Sequence, residues 1–184
     1  DLIINVNQLT ALDLSANTAL TTLQCGSNEL TALDLSANTA LTTIRCGGNE
    51  LTALDLSTNT ALTDLRVPNN QLTSLDVSAN TALTKLYCNG NILTSLDVSA
   101  NTALTAMRGH SNPELYCIQV ADVDQAEQDW GDDISTWMVF STDCEGYVPA
   151  MHVPDDNFEQ ALIDLGYDDV LDDYVLIENI SSVT

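Results

Sequence analysis

The stretch NQLTALDLSANTALTTLQCGS returns with small changes every 21 residues as far as residue 111, and a chain built this way folds as stacked copies of one unit. Within each copy lies a shorter, nested pattern. Leu20, Leu23, Cys25 and Asn28 make LxxLxCxxN, and Leu30, Leu33, Leu35 and Asn38 make LxxLxLxxN. In both, apolar and polar residues alternate, which is the periodicity of a strand with one face buried.

A single copy cannot bury its own apolar face, so the copies must stack in register as a solenoid. The expected inward columns on one side are Leu12, Leu33, Leu54, Leu75 and Leu96 with Leu14, Leu35, Leu56, Val77 and Val98. On the other side they are Leu2, Leu23, Ile44, Leu65, Leu86 and Met107. Asn17, Asn38, Asn59, Asn80 and Asn101 fall at the turns, where an amide bonds the backbone of an adjacent coil. The fold expected is mainly β: a solenoid with parallel strand ladders on two faces, closed by short helical caps. Residues 121–130 are expected to form a helix over the last coil, with Trp130 and Trp137 in the core of that cap.

These units resemble the nested-period leucine-rich repeats of Bacteroidetes surface and secreted proteins. The resemblance extends to NPELYCIQV through FSTDC, similar to that family's C-terminal cap, and to VPDDNFEQALIDLGYDDVLDDYVLIENISSVT, similar to its N-terminal cap. It implies four parts: an array over 1–111, a C-terminal-type cap over 112–144, a linker over 145–152 and an N-terminal-type cap over 153–184. It also implies an extracellular or cell-surface protein of bacterial origin, and in that setting a disulfide between Cys117 and Cys144. In the tail, Pro154 with Asp155 and Asp156 is expected to open a helix whose apolar stripe is Phe158, Ala161, Leu162 and Leu165 and whose end is Gly166.

The caps stand in the reverse of their usual order, which calls for a cover on the first coil. Placing Thr184 before Asp1 makes Val183, Thr184, Asp1 and Leu2 repeat the phase of Leu20, Thr21, Thr22 and Leu23. The last segment is therefore expected against residues 1–14, within one molecule, in tandem modules, or in a head-to-tail neighbour.

Four Lys and Arg against 27 Asp and Glu give a formal charge of -23, which repels phosphate backbones and anionic bilayers at long range, so neither nucleic acid nor membrane insertion is expected. The two outer faces differ sharply. The LDLS side carries a uniform column of Asp13, Asp34, Asp55, Asp76 and Asp97 beside Ala11, Ala32, Ala53, Ser74 and Ser95. The other side varies from copy to copy: its outward column is Ile3, Gln24, Arg45, Arg66, Tyr87 and Arg108, flanked by Thr22, Thr43, Asp64, Lys85 and Ala106 and by Asn5, Gly26, Gly47, Pro68, Asn89 and His110. All 4 basic residues of the chain fall on this variable face.

Guanidinium groups take carboxylate or sulfate in two-point contacts and Tyr87 offers a ring for a sugar to stack on. Gln24, Arg45, Asp64, Arg66, Lys85, Tyr87, Arg108 and His110 are therefore the candidate ligand-binding residues, for a protein or polysaccharide partner. Within the face, Asp64 and Lys85 are adjacent in one column and suited to pair with each other. Removal of all three arginines is expected to leave the melting temperature nearly unchanged.

Cys25, Cys46 and Cys88 share one inward column and are expected as small core residues with free thiols. No metal site or cofactor is expected. Calcium needs six to eight oxygens, more than a single carboxylate column supplies, so the Asp column is expected to be solvated and bonded to nearby hydroxyls or amides. The run Asp168, Asp169, Asp172 and Asp173 is the better calcium candidate, although it lacks the EF-hand spacing. His110 and His152, the 2 histidines, stand near no recognisable nucleophile motif, with His152 in the linker, and repeats spread their acids on ladders instead of gathering them in a cleft. The chain is thus expected to be a non-catalytic binding module of a secreted or surface protein, its rival being a structural spacer within an adhesin.

Overall fold

In a computed structural model of the protein, described over residues 1–145, 147, 150–152, 160, 162–166 and 174–176, the chain divides into two compact units, Asp1–Cys144 and Glu145–Thr184. The strands of the first are β1 (Leu2–Ile3), β2 (Thr22–Gln24), β3 (Thr43–Arg45), β4 (Asp64–Arg66), β5 (Lys85–Tyr87), β6 (Leu96–Asp97), β7 (Ala106–Arg108), β8 (Cys117–Gln119) and β9 (Val139–Ser141). Six of them form one parallel sheet in the order β1-β2-β3-β4-β5-β7. Each strand takes one coil, so Leu23 lies opposite Ile44, Ile44 opposite Leu65, and Leu86 opposite Met107.

Strand alternation then puts Leu23, Ile44, Leu65, Leu86 and Met107 in the core, fully buried, and turns residues 22 and 24 and their equivalents outward. Burying one such side chain is worth about 1.5–3 kcal/mol, so stacking supplies what no single coil can. Two polar ladders run beside this sheet. Thr42 Oγ1 donates to Thr21 O, and Thr63, Thr84 and Thr105 repeat the bond from coil to coil. Asn49 Nδ2 donates to Cys25 O and Cys46 O while its Oδ1 accepts Leu30 N, a pattern shared by Asn70, Asn91 and Asn112. The residue before this Asn has positive φ in every coil: Val6, Ser27, Gly48, Asn69, Gly90 and Ser111.

The LDLS side is built differently. A parallel strand ladder forms there only at the end of the solenoid, in the order β6-β8-β9, with Leu96 opposite Ile118 and Ile118 opposite Phe140. In every coil the Asp accepts the N–H of the serine two residues on, Asp13, Asp34, Asp55 and Asp76 at 2.9 Å and Asp97, within β6, at 2.8 Å, so the bond is compatible with the ladder. The earlier coils are joined instead through asparagine amides: Asn38 Nδ2 donates to Leu14 O and Asn17 O, and Asn59, Asn80 and Asn101 do the same one coil on.

The coil path continues past residue 111. Asn112 extends the asparagine column, and Leu115, Ile118 and Val120 are buried with the array's core. Helix α1 (Val123–Trp130) starts where Asp122 accepts Gln125 N at 3.1 Å, and buries Ala126 and Trp130. Trp130 meets Phe140 edge to face at 6.1 Å. Cys117 and Cys144 are joined by a disulfide across 27 residues, and Cys25, Cys46 and Cys88 are free and buried. Trp137 does not join this core. It is 49% exposed, because it lies in the turn that Met138 N closes on Ser135 O, outside the strand it precedes.

In the second unit β10 (Ala150–His152) pairs antiparallel with β11 (Tyr174–Leu176), so the end of the expected linker, His152 included, is strand. Residues 160 and 162–164 are helical, and Gly166, at φ +79°, donates to Ile163 O. Leu162 is buried, but Leu165 is 68% exposed: it falls in the turn after the last helical residue, off the apolar stripe. The expected start of this helix, the run from Asp168 to Asp173, and the fit of Val183 and Thr184 to the first coil lie outside the described residues.

Candidate binding face

Five outward residues of the six-stranded sheet, Arg45, Asp64, Arg66, Tyr87 and Arg108, form one connected network. Asp64, on β4, is its centre. Its Oδ2 accepts Arg45 NH2 from the preceding coil at 2.7 Å and Arg66 NH2 at 3.1 Å, and its Oδ1 accepts Arg66 Nε at 2.8 Å. Burial pushes the Asp64 carboxyl up, but the hydrogen bonds from Arg66 and Arg45 outweigh it and hold the group below the usual carboxylate range. Arg66 is in turn held above its ordinary value by Asp64.

The next coil inserts Tyr87 between Arg66 and Arg108, in strand register with both. The Arg66 guanidinium carbon sits 4.8 Å from the ring centroid and that of Arg108 4.7 Å from it. Each contact lies within cation–π range. With a cation on either side, the ring has no face left for a sugar to stack on. The Tyr87 stacking expected from the sequence is therefore replaced by an Arg–Tyr–Arg sandwich.

Lys85 does not pair with Asp64, although the two are opposite in register. The carboxylate is already taken by the fork of Arg66 and one nitrogen of Arg45, where an ammonium offers a point charge. Lys85 is exposed and makes no ion pair among the described residues. Gln24 and His110 are half-buried, the latter with Nδ1 3.0 Å from Ser111 Oγ.

The sequence did not single out Asp133. Its carboxylate lies 3.5 Å from Arg108 Nε, and its carbonyl accepts Gly109 N at 3.2 Å, so the short 3-10 turn Gly131–Asp133 closes the C-terminal end of the face. No repeat pattern marks it, since it stands outside the regular copies.

The opposite side holds its carboxylates apart from one another's service. The Ser15 hydroxyl and then its backbone N–H lower the Asp13 pKa, and Ser36, Ser57 and Ser78 do so for Asp34, Asp55 and Asp76. Among the described residues no three His, Cys, Asp or Glu gather as a metal cluster would, and no helix is long and apolar enough to cross a membrane.

Beneath the variable face, Cys25 Sγ lies 2.6 Å from Cys46 Sγ. The hydrogen bond from Cys46 lowers the Cys25 pKa, the same contact raises that of Cys46, and burial pushes Cys88 up to about 12.

No family model matches the chain, and no curated protein matches it. Among solved structures it is similar to the functional domain of InlJ from Listeria monocytogenes, described as including a cysteine ladder, with a TM-score of 0.58 and 31% identity over 73% of this chain and 32% of that one. It is also similar to an internalin (inlF) from Listeria monocytogenes, with a TM-score of 0.53 and 23% identity over 64% of this chain and 40% of that one. The chain thus spans less than half of either neighbour. The Cys25, Cys46 and Cys88 column places cysteines on one ladder in this protein too. In fold the chain is a parallel-strand leucine-rich-repeat solenoid similar to these Listeria proteins.

Proposed function

We propose that this chain is a non-catalytic protein-interaction module that binds through the outer face of the six-stranded sheet. One observation carries the reading. All 4 basic residues of a chain of net charge -23 lie on that face, where side chains change from coil to coil, while the LDLS side repeats one Asp in every coil. A repeat scaffold needs no such variation for stacking, which the buried columns already provide. The likeness to internalin solenoids supports a protein partner. A polysaccharide partner loses the stacking ring that would have favoured it, since both faces of Tyr87 carry guanidinium groups. The Cys117–Cys144 disulfide supports a place outside the reducing cytosol, and a bacterial surface setting rests on the sequence resemblance.

The test is a pull-down with the full chain in which Gln24→Trp and Thr43→Trp obstruct the sheet side, while Ala32→Trp and Ala53→Trp obstruct the other. A captured protein lost only with the first pair supports the module. Capture that survives the first pair contradicts it, and the absence of any captured protein favours the spacer.

A further inference from the structure

The face contains one carboxylate seat that the chain fills itself. On β4, Asp64 and Arg66 project outward two residues apart, and the carboxylate takes the Arg66 fork while a second cation, Arg45, reaches it from the neighbouring coil. Strand β7 repeats the outward spacing of Asp64 and Arg66 without the acid. Arg108 occupies the position of Arg66 and Ala106 that of Asp64, as the register through Lys85 and Tyr87 shows. A methyl group thus stands where the carboxylate would begin. The position equivalent to Arg45 is Tyr87 here, and a second cation comes from the flanking column instead: Lys85 lies opposite Ala106, about 4.8 Å away across the ladder.

Both cations are available to an incoming group. Lys85 is exposed with no ion pair among the described residues, and Arg108, besides its place over the Tyr87 ring, has one ion pair, the 3.5 Å contact of its Nε with Asp133, both side chains being half exposed at 51% and 45%. The terminal nitrogens of Arg108 make no hydrogen bond to a described residue.

We infer that Ala106, Lys85 and Arg108 form a vacant carboxylate seat that receives an acidic side chain of a protein partner. The inference rests on the sheet face being the binding surface. Three things favour a carboxylate over a sulfated sugar: the two terminal nitrogens of Arg108 offer coplanar donors to a planar carboxylate, Asp64 shows an arginine taking a carboxylate at two points on the same face, and Tyr87 carries guanidinium groups over its ring. Asp133 is the acid beside the seat, 3.5 Å from Arg108 Nε, and salt screens acids beyond about 8 Å. The acidic remainder of the protein penalises misplaced acidic partners and so fixes where the acid must land.

The full-length protein is titrated with a peptide of alternating Gly and Glu, with its Gly and Gln counterpart, and with a sulfated disaccharide, followed by amide NMR shifts. The seat predicts saturable shifts on β5 and β7 with the Glu peptide alone. Ala106→Asp supplies the acid from within and weakens that binding about tenfold or more, as does Arg108→Gln. Ala106→Ser leaves the seat vacant and keeps the binding. Thermal melts of each variant confirm folding, and if Ala106→Asp fails to fold, Arg108→Gln and Lys85→Gln carry the decision. Equal binding of the Glu and Gln peptides, undiminished binding by Ala106→Asp, or preference for the sulfated sugar overturns the seat. A partner still lost on blocking Gln24 and Thr43 would then leave the face standing without it.

Discussion

Asp64 lies 2.7 Å from Arg45 and 2.8 Å from Arg66, so a carboxylate only 12% exposed ties together arginines from consecutive coils. This alters what the basic residues do. Arg45 and Arg66 neutralise a mostly buried acid, whereas Arg108 is held loosely at the end of the face.

The first prediction follows from that division. Arg45→Ala with Arg66→Ala strands Asp64 without a cation, at a cost of roughly 1–3 kcal/mol discounted from fully buried pairs, while Arg108→Ala stays within about 0.5 kcal/mol. Urea unfolding of both variants checks this. Equal stability of the two would return the arginines to the independent surface roles read from the sequence.

Acid sensitivity should trace to the serines of the LDLS side. Carboxylates whose folded pKa lies below the ordinary 3.8 add stability that is fully present above that value and is lost as pH falls through the folded one. Replacing Ser15, Ser36, Ser57 and Ser78 with Ala removes the hydroxyl bonds that contribute most to the shift. The loss of stability between pH 5 and pH 2, taken relative to pH 7, should be shallower in this variant than in the wild type. Comparing the two cancels the general relief of acidic self-repulsion, and a steeper fall in the variant would refute the assignment.

The inward thiols should be inert in the folded protein. Alkylation after denaturation without reduction is expected to label Cys25, Cys46 and Cys88 and to spare Cys117 and Cys144. In the native state the same three should react only through unfolding, since they are 0% exposed and Cys88 is pushed up to about 12. Rapid native labelling at pH 8 is the contrary result.

Loss of one stacking amide should cost far more than loss of a surface group. Asn59→Ala takes one of two donors from Leu35 O and Asn38 O, each of which keeps a backbone N–H, and about 0.5–1.5 kcal/mol follows for each hydrogen bond lost. A thermal shift no larger than that of Thr60→Ala, an exposed neighbour, would deny the ladder its role.

Much of this architecture was legible in the sequence because a repeat displays its own constraints. The columns of Leu23 and Leu35, and the turn asparagines, recur at a fixed phase and emerged as the core and the stacking amides. What escaped was decided by local geometry. Periodicity places Asp64 opposite Lys85 but does not say that two arginines reach it first, nor that Arg66 and Arg108 close over Tyr87. The LDLS pattern alternates like a strand, yet the earlier coils are joined there by asparagine amides and the strand ladder appears only from Leu96 onward. Trp137 and Leu165 were misplaced for a related reason, since an apolar residue just beyond an element keeps its composition and loses the element's orientation.

The central claim is that partners meet the variable sheet face. Its most direct test is photo-cross-linking from benzoylphenylalanine placed singly at Gln24, Asn89, Ala32 and Ala53 in the full chain, with adducts identified by mass spectrometry. Adducts to one protein from Gln24 and Asn89, with none from Ala32 or Ala53, are the predicted result; adducts from the LDLS side alone would contradict it.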